Sequence, residues 1–449
     1  MKSNILFILV DGLRADQCYG NDKKSYTPFL DSLKNNGVYF NNTFSPADGT
    51  IISLNCLFNS RFQYETGIRA QKIILLENNH LQKLKDLNYQ IVGLIPKLKS
   101  LQPIANFLEN KEHTYEPGPP PETLPTGMTD KILKLLDSLN NKTPWFCYIH
   151  LFDLHPLREG RFPLNIEQFK SEKFGNSAYA KTVSSIDYWL MQISKKINFD
   201  DTIFILTADH GERIPFGEKS SFQFEPELKQ VSSLGKKILP KSAHKVGGRM
   251  LGKFKKNVGK SRADYSNKDL TPYEKRSRDP HFTLSLHDEL LHIPFLIKGK
   301  KFPSRNISQQ VSNLDIFPTI FEALDIPFDN FKHGRSLLKL INNEKIEEND
   351  IFLHTIPYEK ESELDSIGLR TGKYKYFRNS RDSKKNVNLY NLKNDPYENY
   401  NIAENNPEII NEMENTIDNM KRDKIEVDET LTEEEEREIS KELKELGYM

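Results

Sequence analysis

Five short, almost wholly apolar runs punctuate the chain, each bounded by polar residues: ILFILV (5–10), QIVGLI (90–95), WFCYIHLF (145–152), TIFILT (202–207) and IPFLIKG (293–299). Such runs, apolar without alternation, predict strands buried on both faces, as in a parallel sheet covered by helices. Helical spacing lies between them: TPFLDSLKNNG (27–37) puts Phe29, Leu30 and Leu33 on one face and Gly37 where a helix should end. Strands alternating with helices predict an α/β fold.

Residues 229–279 break that rhythm, with fifteen Lys/Arg against four Asp/Glu and few large apolar side chains. They read as a basic insertion in a domain spanning 1–345, a solvated excursion or a platform for anionic substrate or an anionic surface. Past residue 345, SIGLRTGKYKYFRN and NVNLYNLKNDPYEN alternate in strand fashion between turn residues, predicting an antiparallel subdomain over 346–420. The last stretch, 421–449, ends LTEEEEREISKELKELGYM; Thr432 ahead of acidic residues and Gly447 at the close predict a charged helix packed through Ile439, Leu443 and Leu446.

Composition narrows the function. Sixty-three Lys+Arg balance 63 Asp+Glu, so no global field draws the chain to nucleic acid. Cys18, Cys56 and Cys147 have neither disulfide-framework nor zinc-ribbon spacing, which fits a reducing compartment. The opening apolar run is too short for a signal-peptide core or a membrane span, and the expected location is cytoplasmic.

Three of the predicted strands deliver proton-handling or metal-binding residues at their carboxyl ends, where open α/β sheets bind ligands. Asp11 follows the first, Asp153-Leu154-His155 follows WFCYIHLF, and Asp209-His210-Gly211-Glu212 follows TIFILT. Carboxylates joined by imidazole suit one or two divalent cations, and the imidazole shifts preference toward manganese or zinc over calcium.

The order of VDGLR, TPFLDSLKNNGVYFNNTFSP, LTADHGE, LHDELLHIPFLIKG, VSNLDIFPTIFEALDIP, HGRSLL, GLRTGKYKYF and LYNLKNDPYENYNIAENNPE resembles the sulfatases of the alkaline phosphatase superfamily over residues 3–415. The resemblance implies an alkaline-phosphatase-like, mixed, mostly parallel sheet sandwiched by helices, with a smaller C-terminal antiparallel subdomain. It also implies a site for a divalent metal ion (manganese, zinc, magnesium or calcium) made by Asp11, Thr50, Asp209 and His210. His155 would contact the anionic group or protonate the leaving oxygen, and a second histidine would be His281, with His287 as the alternative.

The nucleophile segment departs from the pattern. Sulfatases carry C-x-P-x-R or S-x-P-x-R, whose Cys or Ser becomes formylglycine, whereas this chain has Thr50-Ile51-Ile52-Ser53-Leu54. Threonine cannot be oxidised to that aldehyde; at this place it resembles the phosphoglycerol and phosphoethanolamine transferases of the superfamily. Gly12 also stands where many sulfatases have a second acidic residue, which leans toward a single metal. The implied activity is metal-dependent hydrolysis or transfer of phosphate or sulfate esters through Thr50, phosphate favoured, on an anionic ester such as a glycan or lipid precursor. The alternatives are sulfate-ester hydrolysis without formylglycine, and a non-catalytic scaffold for a polyanion or membrane.

Locally, the turn SPADG leading into Ile-Ile predicts Thr50 as a helix N-cap, compatible with a nucleophile. Cys56 and Trp145 read as core, Asp315 and Thr319 as helix-start caps, and Lys373 and Lys375 as an exposed strand face.

Overall fold

A computed structural model of the chain describes residues 2–20, 23–67, 72–118, 120–139, 144–157, 166–214, 270–278, 285–327, 332–355, 365–422 and 432–445. The chain divides into two compact units, 1–212 with 283–449, and 213–282. The described part of the second unit includes a helix, Pro272–Arg278; the basic stretch over 229–269 lies outside the described residues.

In the first unit the strands are β1 (Asn4–Val10), β2 (Val38–Phe44), β3 (Gln90–Pro96), β4 (Thr114–Tyr115), β5 (Trp145–Leu151), β6 (Thr202–Thr207), β7 (His292–Lys298), β8 (Arg305–Ile307) and β9 (Val311–Ser312). They form one sheet in the order β4-β3-β5-β1-β6-β7-β2-β8, with β9 beside β2. Pairing is parallel except that β7 runs antiparallel to β6 and β2. Every residue of β1, β5 and β6 is buried, as their unbroken apolar runs require.

Both faces are covered. Ile5, Phe7 and Leu9 join a core with helix residues Leu54, Leu57, Phe58, Phe317 and Phe321. The intervening β1 residue Leu6 sits beside Phe204 of β6, and Phe204 meets the Phe29 ring edge-on from the other side. These contacts come from α1 (Pro28–Asn36), α2 (Thr50–Asn59) and, beyond α3 (Ala178–Ser194), which packs beside α1, from α4 (Ile316–Ala323). Gly37 ends α1 with an extended φ of −147°. A Cβ there would lie 2.8 Å from the Ile297 carbonyl, so close approach to β7 demands the glycine.

Asp187 of α3 ties α1 down by accepting from the backbone N–H groups of Phe29 (3.1 Å) and Leu30 (2.8 Å). Burial pushes its carboxyl up to about 7 against those hydrogen bonds. A raised carboxylate lets the native state hold a proton that the unfolded chain has lost. Its contribution is therefore full below about pH 4 and lost as pH rises through 7. Asp187→Asn should flatten the decline of the unfolding midpoint between pH 5 and 8; an unchanged slope in thermal melts would contradict this assignment.

The C-terminal subdomain is a second sheet, β10 (Ile351–Thr355), β11 (Ser366–Arg370), β12 (Tyr374–Asn379) and β13 (Asn388–Asn391), antiparallel throughout. Its β12 overturns the expectation for Lys375, whose side chain is wholly buried and bridges Asp288 (2.6 Å) and Glu398 (2.7 Å). Lys375 is drawn inward by the part-buried Asp288 and the buried Glu398 carboxylates, whereas Lys373 is exposed as expected. Thr432 caps α5 (Glu433–Glu445) reciprocally with Glu435. Ile439 is buried, Lys72 and Lys99 pair with Glu435 and Glu438, and Gly447, Leu446 and the Leu443 side chain lie outside the described residues.

Candidate active site

Parallel pairing aligns the strand ends that matter. Leu9 of β1 lies opposite His150 of β5 and Thr207 of β6, so Asp11, the segment from Phe152 to His155, and Asp209-His210 emerge from one edge. Asp11, Asp209 and His210 are buried, with one ligand atom from each within 4.8 Å of the others.

Thr50 completes the cluster from another direction. Gly49, not Thr50, is the N-cap of α2, and Thr50 is its first residue with no capping hydrogen bond. The expected capping role therefore fails: the hydroxyl instead donates 2.9 Å to Asp11 Oδ2 and approaches His210 Nε2 at 3.3 Å. Thr50 is also the part-exposed member of the four.

Each neighbour is fixed by the local backbone. Gly12, at φ 69°, and His210 both direct their N–H groups to Asp209 Oδ1, at 3.2 and 2.9 Å. Ser53 Oγ donates to the Asp209 carbonyl at 2.6 Å and is itself held by Asn313. His210 Nδ1 lies 2.6 Å from the Gly211 carbonyl, which can only accept, so Nδ1 carries the proton and the Nε2 lone pair faces Thr50 and Asp209. Gly211 lets this loop press on the chain before β7: its N–H donates 2.7 Å to Leu290, and a Cβ would overlap the Glu289 carbonyl.

The donor set fits a divalent cation. Asp209 Oδ2 is buried with no hydrogen-bond donor among the described residues, 3.5 Å from His210 Nε2. A buried carboxylate oxygen beside an imidazole lone pair is a costly arrangement that a cation would satisfy.

The structure places the remaining candidates as follows. His155 opens a short turn at the end of β5 and stacks on Phe152, ring centroids 4.9 Å apart and 2° from parallel. His281 lies outside the described residues. His287 contacts Ser285 and Tyr390 and packs edge-on against Phe377 of β12, which accounts for it through the C-terminal sheet. Asp315 caps its helix start through Ser312, Thr319 bonds the Asp315 carbonyl, and Cys56 and Trp145 are core. Leu54, at the place of the sulfatase arginine, lies in the core beneath α2.

Two residues were not singled out from sequence. His150, wholly buried, places Nε2 4.0 Å from Asp11 Oδ2; an apolar run concealed it. Asp48, two residues before Thr50, accepts from Ser285 N–H and the Thr355 hydroxyl, both at 2.8 Å. The polar turn SPADG was the available signal for it.

This arrangement has relatives. The family model described as Sulfatase matches residues 3–326. The chain belongs to the sulfatase family. A second model, N-sulphoglucosamine sulphohydrolase, C-terminal, matches residues 281–426. Membership places the chain among sulfatase-family hydrolases. It is 23% identical over 458 residues to an ulvan-active sulfatase of Formosa agariphila, covering 90% of this chain and 76% of that protein. Against arylsulfatase K of Rattus norvegicus it is 24% identical over 303 residues, covering 64% of this chain and 51% of the relative, so it spans about half the length of that protein. A solved structure in complex with its substrate D-glucosamine-2-N,6-O-disulfate shares the fold, with a TM-score of 0.62 at 16% identity, covering 94% of this chain and 98% of that one.

Proposed function

We propose that this sulfatase-family chain is a divalent-cation-dependent ester hydrolase or transferase with Thr50 as its nucleophile, and that phosphate esters are its favoured substrates. The carrying observation is the Thr50 hydroxyl, directed at Asp11 Oδ2 and His210 Nε2 instead of at its own helix.

Asp11, Asp209, His210 and Thr50 would hold the cation. When bound, it supplies positive charge that lowers the cost of deprotonating the hydroxyl and of gathering negative charge on the ester. The chain's own groups do the rest. Asp11 Oδ2 receives the Thr50 proton along the existing hydrogen bond, and the first turn of α2 offers backbone N–H groups and a positive dipole end to the anionic ester. Thr50 Oγ1 then forms a bond to phosphorus while the ester oxygen leaves, protonated by His155. Water or an alcohol, giving its proton to the deprotonated His155, attacks phosphorus in a second displacement, and Thr50 Oγ1 leaves and recovers its proton from Asp11.

Phosphate is favoured because a second in-line displacement releases a phosphorylated threonine with the same groups. Formylglycine instead expels sulfate by collapse of its hydrate, a route closed to threonine. A second reading, hydrolysis of sulfate esters through Thr50, draws support from the named activities of the relatives.

Paired nitrophenyl phosphate and nitrophenyl sulfate separate the two. Release of phosphate, with an intact-mass adduct mapping to Thr50, is the expected result. Sulfate release with no phosphate release would favour the second reading, and an adduct elsewhere would remove Thr50 from the mechanism.

A further inference from the structure

His150 has a hydrogen-bonding atom that the fold leaves unsatisfied. The side chain is wholly buried in β5, and its Nε2 has no hydrogen-bond partner among the described residues. Burying an unsatisfied polar atom is costly, so a purely structural position would be better filled by an apolar ring. Rings surround it: Phe152 meets the imidazole edge-on at 5.1 Å and Tyr148 at 6.0 Å.

The ring is nevertheless held with care. Strand alternation puts Tyr148 and His150 on one side of β5, where the Tyr148 hydroxyl lies 3.3 Å from His150 Nδ1. Tyr115 anchors the same residue through its backbone, donating 2.6 Å to the His150 carbonyl. A tyrosine hydroxyl donating to Nδ1 leaves the proton on Nε2. The Asp11 charge favours the same tautomer, because a lone pair on Nε2 would face carboxylate Oδ2 at 4.0 Å. That separation is roughly 1 Å beyond an N–H···O hydrogen bond.

We propose that His150 is a positioning residue for Asp11: its Nε2–H donates to Asp11 Oδ2 when that carboxylate engages a cation, with Tyr148 fixing the tautomer. The inference rests on the cation site proposed above and deepens it. The polarity is the reverse of the familiar carboxylate that orients a ligating histidine; here a histidine orients a ligating carboxylate. His150 touches no substrate in this scheme and acts through Asp11.

The test uses chelator-stripped full-length protein titrated calorimetrically with manganese(II). His150→Phe, which suits the surrounding rings, should weaken binding about 10- to 100-fold while the melting temperature of the stripped protein stays level or rises. Tyr148→Phe should weaken binding less and add nothing in the His150→Phe background. His150→Gln, which keeps a donor, should recover part of the loss. Nitrogen-15 NMR of the imidazole should report the Nε2–H tautomer. Wild-type affinity in folded His150→Phe, or an Nδ1–H tautomer, overturns the inference and leaves the cation site standing. Wild-type protein that binds no manganese(II) overturns both.

Discussion

Replacing Thr50 with alanine should abolish turnover while a divalent cation still binds, more weakly, through Asp11, Asp209 and His210. The hydroxyl is lost together with one methyl group, and Asp11, Asp209 and His210 remain clustered at their strand ends. Those three follow the ends of β1 and β6, whereas Thr50 arrives on α2, so the variant removes the attacking oxygen without disturbing the sheet. Loss of a covalent nucleophile lowers turnover by roughly 10³-fold or more. Thr50→Ser should retain measurable activity, because the oxygen persists and only a methyl group is lost. Calorimetric cation binding, circular dichroism and steady-state rates on the three proteins check the expectation together. Activity of Thr50→Ala within a few fold of wild type would mean that water attacks the ester directly.

Lys375→Met should be among the most destabilising single changes in the chain. Lys375 lies between Asp288 and Glu398; Lys375 and Glu398 are inaccessible, the Asp288 side chain is 15% exposed, and Arg370 completes the group at 2.8 Å from Asp288. Burial raises the Asp288 carboxyl, but Arg370 and Lys375 outweigh it and hold that group well below the usual range. Glu398 is pushed up to about 7 by burial, Lys375 opposing the shift. Removing one partner from a buried ionic group strands the others, at a cost of roughly 3–5 kcal/mol. Without Lys375 the Glu398 carboxyl rises further and escapes its charge by binding a proton, so the loss should shrink as pH falls toward 7. Urea unfolding at pH 8 and pH 6 checks both size and sign, and a loss under about 1 kcal/mol at pH 8 would show that the network contributes little.

What the sequence made legible follows from range. Strands β1, β3, β5, β6 and β7 announce themselves because burial on both faces demands unbroken apolar runs. Asp11, Asp209 and His210 could be located because a strand end is a local event. Strand β2 was hidden: VYFNNTF carries Asn41 and Asn42 where its pairing with β7 shifts register between Phe40 and Thr43. Lys375 was misplaced because its partners lie elsewhere in the chain, Asp288 being 87 residues away. At Thr50 the neighbouring residues favour a cap and the family resemblance a nucleophile; the approach of its hydroxyl to Asp11, across 39 residues, shows where it points. His150 was invisible for the opposite reason, since an imidazole inside an apolar run gives no pattern of its own.

The turn that presents Thr50 is stitched to the last sheet. His354 N–H of β10 donates 2.9 Å to the Pro46 carbonyl, and Thr355 of the same strand bonds Asp48. Sequence texture invites a cut near residue 345, as though a catalytic module ended there. Such a cut would sever the scaffold of the nucleophile turn itself. Truncation or domain exchange at that point should therefore yield a protein with a loosened reaction centre. Recombination within this lineage would have to carry residues 45–50 and 351–355 as a single inherited unit, although some three hundred positions separate them.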